Sequence, residues 1–295
     1  MKLLAPAYYS RFACIADACR HSCCVGWEID IDPATHAHYQ TMEDIRESIV
    51  EDDPPHFRLG PDDRCPHLDE RGLCRIILRH GEDALCDICR EHPRFYHTTS
   101  QGMEVGLGMS CEEACRIILE SDDFDEFLPV GQTDGTPKKA EFDPIPYRNY
   151  IYSILKTREF PYPERLSYLS DSFGITPTLH SDGVWQGVFA GLEYLDEAHK
   201  PLFAAYSSHT ATPEEWVPAL TRALAYFILR HVSPAETPDE MLAGLGLALL
   251  LERALCSMVT HDPTLTLADA ARILSEEMEY SEENTEALKE MFYAL

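Results

Sequence analysis

Long apolar runs and basic residues are both scarce in this 295-residue sequence. The longest apolar stretch, residues 241–251 (MLAGLGLALLL), has 11 residues, which is too short to cross a bilayer. The first residues lack the pattern of a signal peptide, so we expect a cytoplasmic protein with no membrane partner. Lys and Arg number 24 against 51 Asp and Glu, a formal charge of −27. That charge disfavours nucleic acids and suits a lysine-bearing partner.

Several common catalytic motifs are also absent. The sequence contains no P-loop, no HExxH zinc motif and no Ser-His-Asp order. It also lacks the βαβ alternation that surrounds the Gly-rich loop of a doubly wound methyltransferase. The nearest segment is GMEVGLGMSCEE, which contains Gly106 and Gly108. We interpret it either as an unconventional nucleotide-binding loop or as a strand packed closely against backbone or a metal cluster.

The sequence does contain 11 cysteines, and they are unevenly distributed along it. Ten lie from Cys14 to Cys115, and only Cys256 lies beyond them. A segment with four Pro and two Gly follows at residues 128–146. We therefore predict a cysteine-rich module over residues 1–130, a linker or surface loop over 131–145 and a helical domain over 146–295. The predicted fold class is mainly α with a few short β-strands.

Local patterns place the elements of the first module. WEIDID (27–32) alternates like a half-buried strand, and residues 34–50 have the pattern of one helix. A short helix over 81–92 is stopped by Pro93, and 102–109 is a strand. Ser110 and Glu113 then form a predicted capping box at the start of a strong helix.

The second half is helical by pattern, with prolines near the predicted helix ends. Asp239, Asp262 and Ser281 are the candidate caps. The helices are predicted over residues 146–159, 182–206, 213–232, 238–261, 266–279 and 281–294.

The first-module cysteines have spacings that suit metal binding. Cys86 and Cys89 lie at i, i+3 on one helical turn, and Cys19 and Cys23 would share a face if their segment were helical. Cys111 stands at the start of a helix, where the helix dipole favours a thiolate. In a reducing compartment ten clustered thiols indicate a zinc or iron–sulfur site rather than disulfides. Adjacent cysteines cannot easily bind one ion, so we expect Cys23 and Cys24 to differ in role.

Four ordered blocks resemble the flagellin lysine-N-methylase family, part of the wider CxxCxxCC group of metal-binding proteins. The blocks are FACIADACRHSCCVGWEIDIDPATHAHY, CPHLDERGLCRI, LCDICREHPRFY and MEVGLGMSCEEACRIIL. Cys115 stands where the family would be expected to have a small residue, so we exclude it from the ligand set. The predicted metal ligands are Cys14, Cys19, Cys23, Cys24, Cys65, Cys74, Cys86, Cys89 and Cys111.

The resemblance implies transfer of methyl groups from S-adenosylmethionine to lysine amines of flagellin, with an iron–sulfur cluster, most simply 4Fe-4S, as cofactor. Zinc is the alternative metal. The candidate cofactor-binding residues are Arg90, Arg94, Gly106 and Gly108, although the two arginines could instead pair with acids. No catalytic residue is assigned. The alternative functions are a non-enzymatic metal-binding protein and a zinc-stabilised protein-interaction module.

Overall fold

The computed structural model describes residues 1–136 and 141–293, and it confirms the predicted fold class of mainly α with a few short strands. Residues 137–140 of the predicted linker lie outside the described residues. The division into domains at residues 130 and 146 stays a prediction.

The strands are β1 (Lys2–Pro6), β2 (Ile49–Val50), β3 (His56–Phe57), β4 (Arg94–Thr99), β5 (Gly102–Leu107) and β6 (Phe127–Gln132). The helices are α1 (Pro33–Tyr39), α2 (Glu43–Arg46), α3 (Arg75–His80), α4 (Asp87–Glu91), α5 (Glu112–Glu120), α6 (Ile145–Leu155), α7 (Tyr162–Phe173), α8 (Asp182–Gly191), α9 (Lys200–Ala204), α10 (Val217–His231), α11 (Pro238–His261), α12 (Leu267–Glu279) and α13 (Glu282–Tyr293).

A four-stranded sheet connects the first residues to the middle of the chain. Its order is β4-β5-β1-β6, with β1 parallel to β5 and antiparallel to β6. The strands β4 and β5 form an antiparallel hairpin, in which Phe95 faces Gly106. A separate two-stranded sheet pairs β2 with β3.

Two hydrophobic cores organise the molecule. The larger core joins β5 and α5 to the helices of the second half, with α11 at its centre. By length and composition α11 could cross a membrane, but 89% of its most apolar window is buried in the fold, as in the core helix of a globular protein. The smaller core is built from residues 29–86 and contains Ile29, Tyr39 and Phe57.

Two element predictions in the first module need correction. WEIDID buries Ile29 and Ile31 as its alternation requires, but it is joined to its neighbour by a single bridge at Asp30 and is not a strand. The helix predicted over 34–50 is two short helices and β2. The Thr41 hydroxyl donates to the His38 carbonyl oxygen at the break, an alternative to the helical ladder. The strand over 102–109 is confirmed as β5.

The predicted capping box is also wrong. Helix α5 begins after Cys111, which is the N-cap residue and makes no side-chain capping bond. The Glu113 carboxylate accepts from Arg116 at 2.7 Å instead of reaching back to the helix start. The short helix predicted over 81–92 is only partly present, because a 3-10 turn at Glu82–Ala84 is followed by the five-residue α4.

In the second half, α11, α12 and α13 lie close to their predicted positions. The Ser281 hydroxyl caps α13 as predicted, whereas Thr237 and Thr266, rather than aspartates, cap α11 and α12. The helix predicted over 182–206 is broken because the Asp196 side chain starts a new turn. Helix α7 was not predicted; its Pro163 stands in the first turn, where proline is tolerated.

Candidate functional site

Five cysteines converge on the smaller core. They are Cys24, Cys65, Cys74, Cys86 and Cys89, here called the Cys24 group. The Cys65 amide donates to the Cys24 carbonyl oxygen at 2.8 Å, and a backbone bridge joins Leu68 to Cys74. These contacts bring together cysteines that are far apart in sequence.

Three members of the Cys24 group lie at or near the N-terminal end of a helix. Cys74 is the N-cap of α3, Cys86 is the N-cap of α4, and Cys89 follows within α4. The thiols of Cys86 and Cys89 are hydrogen-bonded, which lowers the pKa of Cys86 and raises that of Cys89. Burial raises the pKa of Cys65 to about 12. A bound cation would reverse this effect of burial, because it stabilises thiolates.

Four other cysteines, Cys14, Cys19, Cys23 and Cys111, form the Cys23 group. The Cys111 thiol adds to the electrostatic effects that raise the pKa values of Cys19 and Cys23, and Cys14 does the same for Cys23 and Cys111. The largest causes are burial for Cys19 and Cys111, and for Cys23 the hydrogen bond that its thiol donates to Cys24. Burial outweighs the helix-start amides that stabilise a Cys111 thiolate.

The loop that carries Cys19 and Cys23 is held against α5. The Glu112 carboxylate accepts from the backbone amides of Arg20 at 2.9 Å and His21 at 3.2 Å. Only residues 16–18 form a 3-10 turn, so Cys19 and Cys23 do not share a helix face. The Trp27 indole donates to the Cys23 carbonyl oxygen at 2.7 Å and fixes the other end of the loop.

The chemistry of both groups suits soft metals, since thiolates are soft ligands. Four sulfurs bound to one zinc ion lie about 3.8 Å apart, given Zn–S bonds of about 2.3 Å. Among residues 1–136 and 141–293, no three cysteine sulfurs lie within 4.8 Å of one another. The described thiols are therefore spread more widely than the four ligands of a bound zinc ion.

The remaining two cysteines belong to neither group. Cys115 is buried in α5 against the main core, where its thiol faces the Ala268 carbonyl oxygen at 3.5 Å. Cys256 is buried in α11 beside Arg253. Both act as small core residues.

A cavity of about 780 Å³ separates the Cys23 group from α12. Cys19 and Cys23 line one wall. Trp27, His92 and Tyr280 form an aromatic cluster beside them, with ring centroids 6.0–6.1 Å apart. Burial lowers the pKa of His92 to about 4, so its imidazole is neutral at pH 7. Its Nε2 has no hydrogen-bond partner in the described part of the chain.

The opposite wall is acidic and contains His199, Glu276 and Glu277. The Glu277 side chain is wholly buried and accepts from the Leu195 amide at 2.7 Å and the Asp196 amide at 3.2 Å. It also accepts from His199 Nδ1 at 2.6 Å. This hydrogen bond places the imidazole proton on Nδ1 and leaves Nε2 as an acceptor. The pair therefore has the arrangement of a base oriented by a carboxylate.

Comparison with curated proteins finds relatives of this chain. Two lysine-N-methylases, from Salmonella typhimurium (strain LT2) and Salmonella choleraesuis, are 32% and 31% identical to it over 132 residues. These matches span 40% of this chain and 32% of each relative. The flagellar biosynthetic protein FliU of Salmonella muenchen is 31% identical over 133 residues, which are 40% of this chain and 77% of FliU. The chain is a distant member of the FliU and lysine-N-methylase family. No protein-family model and no solved structure matches it.

In this member of the FliU family, none of the four predicted cofactor residues is among those that line the cavity. Arg90 pairs with Asp87 and Glu91, and the Arg94 guanidinium donates to the Tyr9 hydroxyl at 2.9 Å. A Cβ on Gly106 would lie 2.2 Å from the Phe95 ring, and one on Gly108 would lie 2.9 Å from the Tyr280 hydroxyl. Close packing therefore accounts for both glycines, and the structure favours this over a nucleotide-binding loop.

Sequence reasoning missed the residues of the acidic wall. His199 and Glu277 are separated by 78 positions, and neither belongs to a recognisable motif. Only the packing of the residue 195–199 turn on α12 brings them together. Trp27 lies half-buried on the cavity wall.

Proposed function

We propose that this chain is a protein-lysine N-methyltransferase that transfers methyl groups from S-adenosylmethionine to lysine amines of flagellin, with a cysteine-bound metal centre, in the cytoplasm. The names of its relatives support the reaction and the flagellar link. Because the matches span only 32% of each methylase, activity and substrate are carried over as proposals.

One observation carries the proposal. A single cavity has thiols on one wall and a carboxylate-oriented histidine on the other. Its volume of about 780 Å³ falls in the range of ligand pockets, about 300–1,000 Å³. The two walls suit the two partners of the reaction, a sulfonium cofactor and a lysine side chain.

The Cys23 group is the part of the chain that would hold a metal at this cavity. If three of its four cysteines ligated an iron–sulfur cluster, the fourth iron would be open and would offer a binding site for the amino and carboxylate groups of S-adenosylmethionine. The aromatic cluster of Trp27, His92 and Tyr280 lies beside these thiols and offers ring faces to the sulfonium cation.

The acidic wall performs the proton chemistry. A lysine side chain with a pKa near 10.4 arrives as an ammonium, which the Glu277 carboxylate attracts, whereas Glu276 is paired with Arg272 at 2.6 Å. His199 Nε2 takes one proton, and the Glu277 carboxylate stabilises the resulting imidazolium. The free amine lone pair then attacks the methyl carbon. The carbon–sulfur bond breaks, its electron pair returns to sulfur, and S-adenosylhomocysteine leaves.

The test uses anaerobically purified chain with its metal, flagellin and methyl-deuterated S-adenosylmethionine. We expect mass spectrometry to find deuterated methyl groups on flagellin lysines, and none on flagellin whose lysines were acetylated beforehand. Metal-loaded, folded protein that leaves flagellin unlabelled would refute this function.

A further inference from the structure

The nine grouped thiols exceed what one metal centre can use. Four-cysteine ligation is typical of both zinc sites and iron–sulfur clusters. We propose that the chain carries two metal centres, one on the Cys23 group and a second on the Cys24 group, and that the second is structural. The proposed function requires only the centre at the cavity, so this inference stands whether or not the chain is a methylase.

The two proposed metal centres take their ligands from opposite sides of a boundary between two adjacent residues, Cys23 and Cys24. Cys23 lines the cavity, whereas Cys24 packs into the smaller core with four other cysteines. The hydrogen bonds from Trp27 to the Cys23 carbonyl and from Cys65 to the Cys24 carbonyl fix the two residues separately. In two-cluster ferredoxins, cysteines of one short run likewise serve different clusters.

The two centres would be neighbours. The thiols of Cys23 and Cys24 are hydrogen-bonded to each other, so both groups meet at this pair. Two paramagnetic iron clusters at such adjacent ligands would interact magnetically. Their electron paramagnetic resonance signal would then differ from the sum of two isolated clusters.

The surroundings of the Cys24 group indicate a structural role. None of its five cysteines lines the cavity. Its core has only 11 buried residues, and two of them are Cys65 and Cys86 themselves. The elements around it are short: α2 has four residues, and β2 and β3 have two each. A core this small needs an additional stabiliser, and metal binding supplies folding free energy directly.

The experiment compares three matched variants of the full chain, purified anaerobically: Cys19→Ala from the Cys23 group, Cys89→Ala from the Cys24 group, and Cys115→Ala from neither. The amounts of iron, zinc and sulfide per chain are measured for each variant. The midpoint temperature of thermal unfolding is measured as well. We expect Cys19→Ala and Cys89→Ala each to lose one part of the metal, the double variant to lose all of it, and Cys115→Ala to keep all. Cys89→Ala should lower the midpoint more than Cys19→Ala does.

Two results would overturn the proposal. Either both variants lose the entire metal content, which means one shared centre, or one of them loses none. If Cys89→Ala is insoluble, chelation of the wild-type chain decides the question. We expect the metal to be released in two separate phases, and the far-ultraviolet circular dichroism to change in only one of them. Release in a single phase would contradict the presence of two centres.

Discussion

At the scale of single residues, the His199–Glu277 pair is the sharpest test of the proposed chemistry. We expect His199→Gln to lower the methylation rate by about 10²–10⁴-fold, the usual contribution of a general base. The deficit should shrink as pH rises toward the pKa of lysine, because solvent then supplies more neutral amine. Rates on flagellin between pH 7 and 10 give the measurement.

The matched control is His209→Gln, the same substitution at an exposed histidine outside the cavity. Its rate and its pH profile should follow the wild type. A His199→Gln enzyme whose rate falls by a constant factor at every pH would contradict proton transfer to this imidazole and leave it a structural role only.

Glu277 is a positioning residue at the same scale. Its carboxylate holds the proton of His199 on Nδ1 and also accepts from two backbone amides. We expect Glu277→Gln to lower kcat with little change in the KM for flagellin, since the amide can donate to Nδ1 and favour the wrong tautomer. A rise in KM with unchanged kcat would indicate a binding role instead.

The two kinds of site residue differ in how visible they are in the sequence. Cysteines are rare enough that ten within about a hundred positions indicate metal binding, and the structure brings nine of them into two groups. His199 and Glu277 are common surface residue types, and their role depends on a contact between distant segments. Local patterns do not encode such a contact.

At the scale of elements, the α10–α11 interface depends on one glycine. A Cβ on Gly244 would lie 2.1 Å from the His231 carbonyl oxygen, which is backbone and cannot rotate away. We expect Gly244→Ala to lower the free energy of unfolding by about 1–3 kcal/mol, because the two helices must separate. Urea unfolding measures this change.

Gly187 provides the control at this scale. It lies inside α8, and a Cβ there would meet nothing within 4 Å. Gly187→Ala should therefore be neutral or add about 0.4–1 kcal/mol, because alanine restricts the unfolded chain more than glycine does. Equal destabilisation by both substitutions would contradict the close approach at Gly244.

The sequence predicts helix ends correctly where an apolar pattern extends over many residues. It does not predict them where side-chain hydrogen bonds to the backbone end the helix. Helix α11 has apolar residues on every side, and both its ends follow from the sequence. Between α8 and α9, the Glu193 amide donates to Asn284, the Leu195 and Asp196 amides donate to Glu277, and the Ala198 amide donates to Asp196. At the early end of α1, the Thr41 hydroxyl donates to the His38 carbonyl oxygen. Such bonds compete with the helix at little cost, so hydrophobic pattern alone does not reveal them.

At the scale of the whole molecule, a buried ion pair joins the sheet to the helical half. Glu104 of β5 accepts from Arg148 of α6 at 3.0 Å and pairs with His97 of β4 at 2.9 Å. Arg148 also donates to Ser233 beyond α10 at 2.9 Å. Removing one partner leaves a buried charge without compensation, so Glu104→Gln should cost about 3–5 kcal/mol at pH 7.

The pH dependence of that cost follows from the pKa of Glu104. Burial by itself would raise this pKa, but the hydrogen bond from His97 and the charge of Arg148 outweigh it, and the pKa lies below its ordinary value. A carboxyl whose pKa is lower in the folded state contributes stability above its unfolded pKa, about 4.3, and loses it as pH falls through the folded pKa. The difference in unfolding free energy between wild type and Glu104→Gln should therefore be constant near pH 7 and narrow below pH ~4.

Urea unfolding at pH ~7 and below pH ~4 measures this difference, and Glu70→Gln, at an exposed glutamate, is the control. If the proposed metal is lost in acid, the loss affects every variant alike and cancels in this comparison. A difference that stays constant into acid would mean that the pKa of Glu104 is the same in the folded and unfolded states, and that its ion pair with Arg148 contributes no net stability.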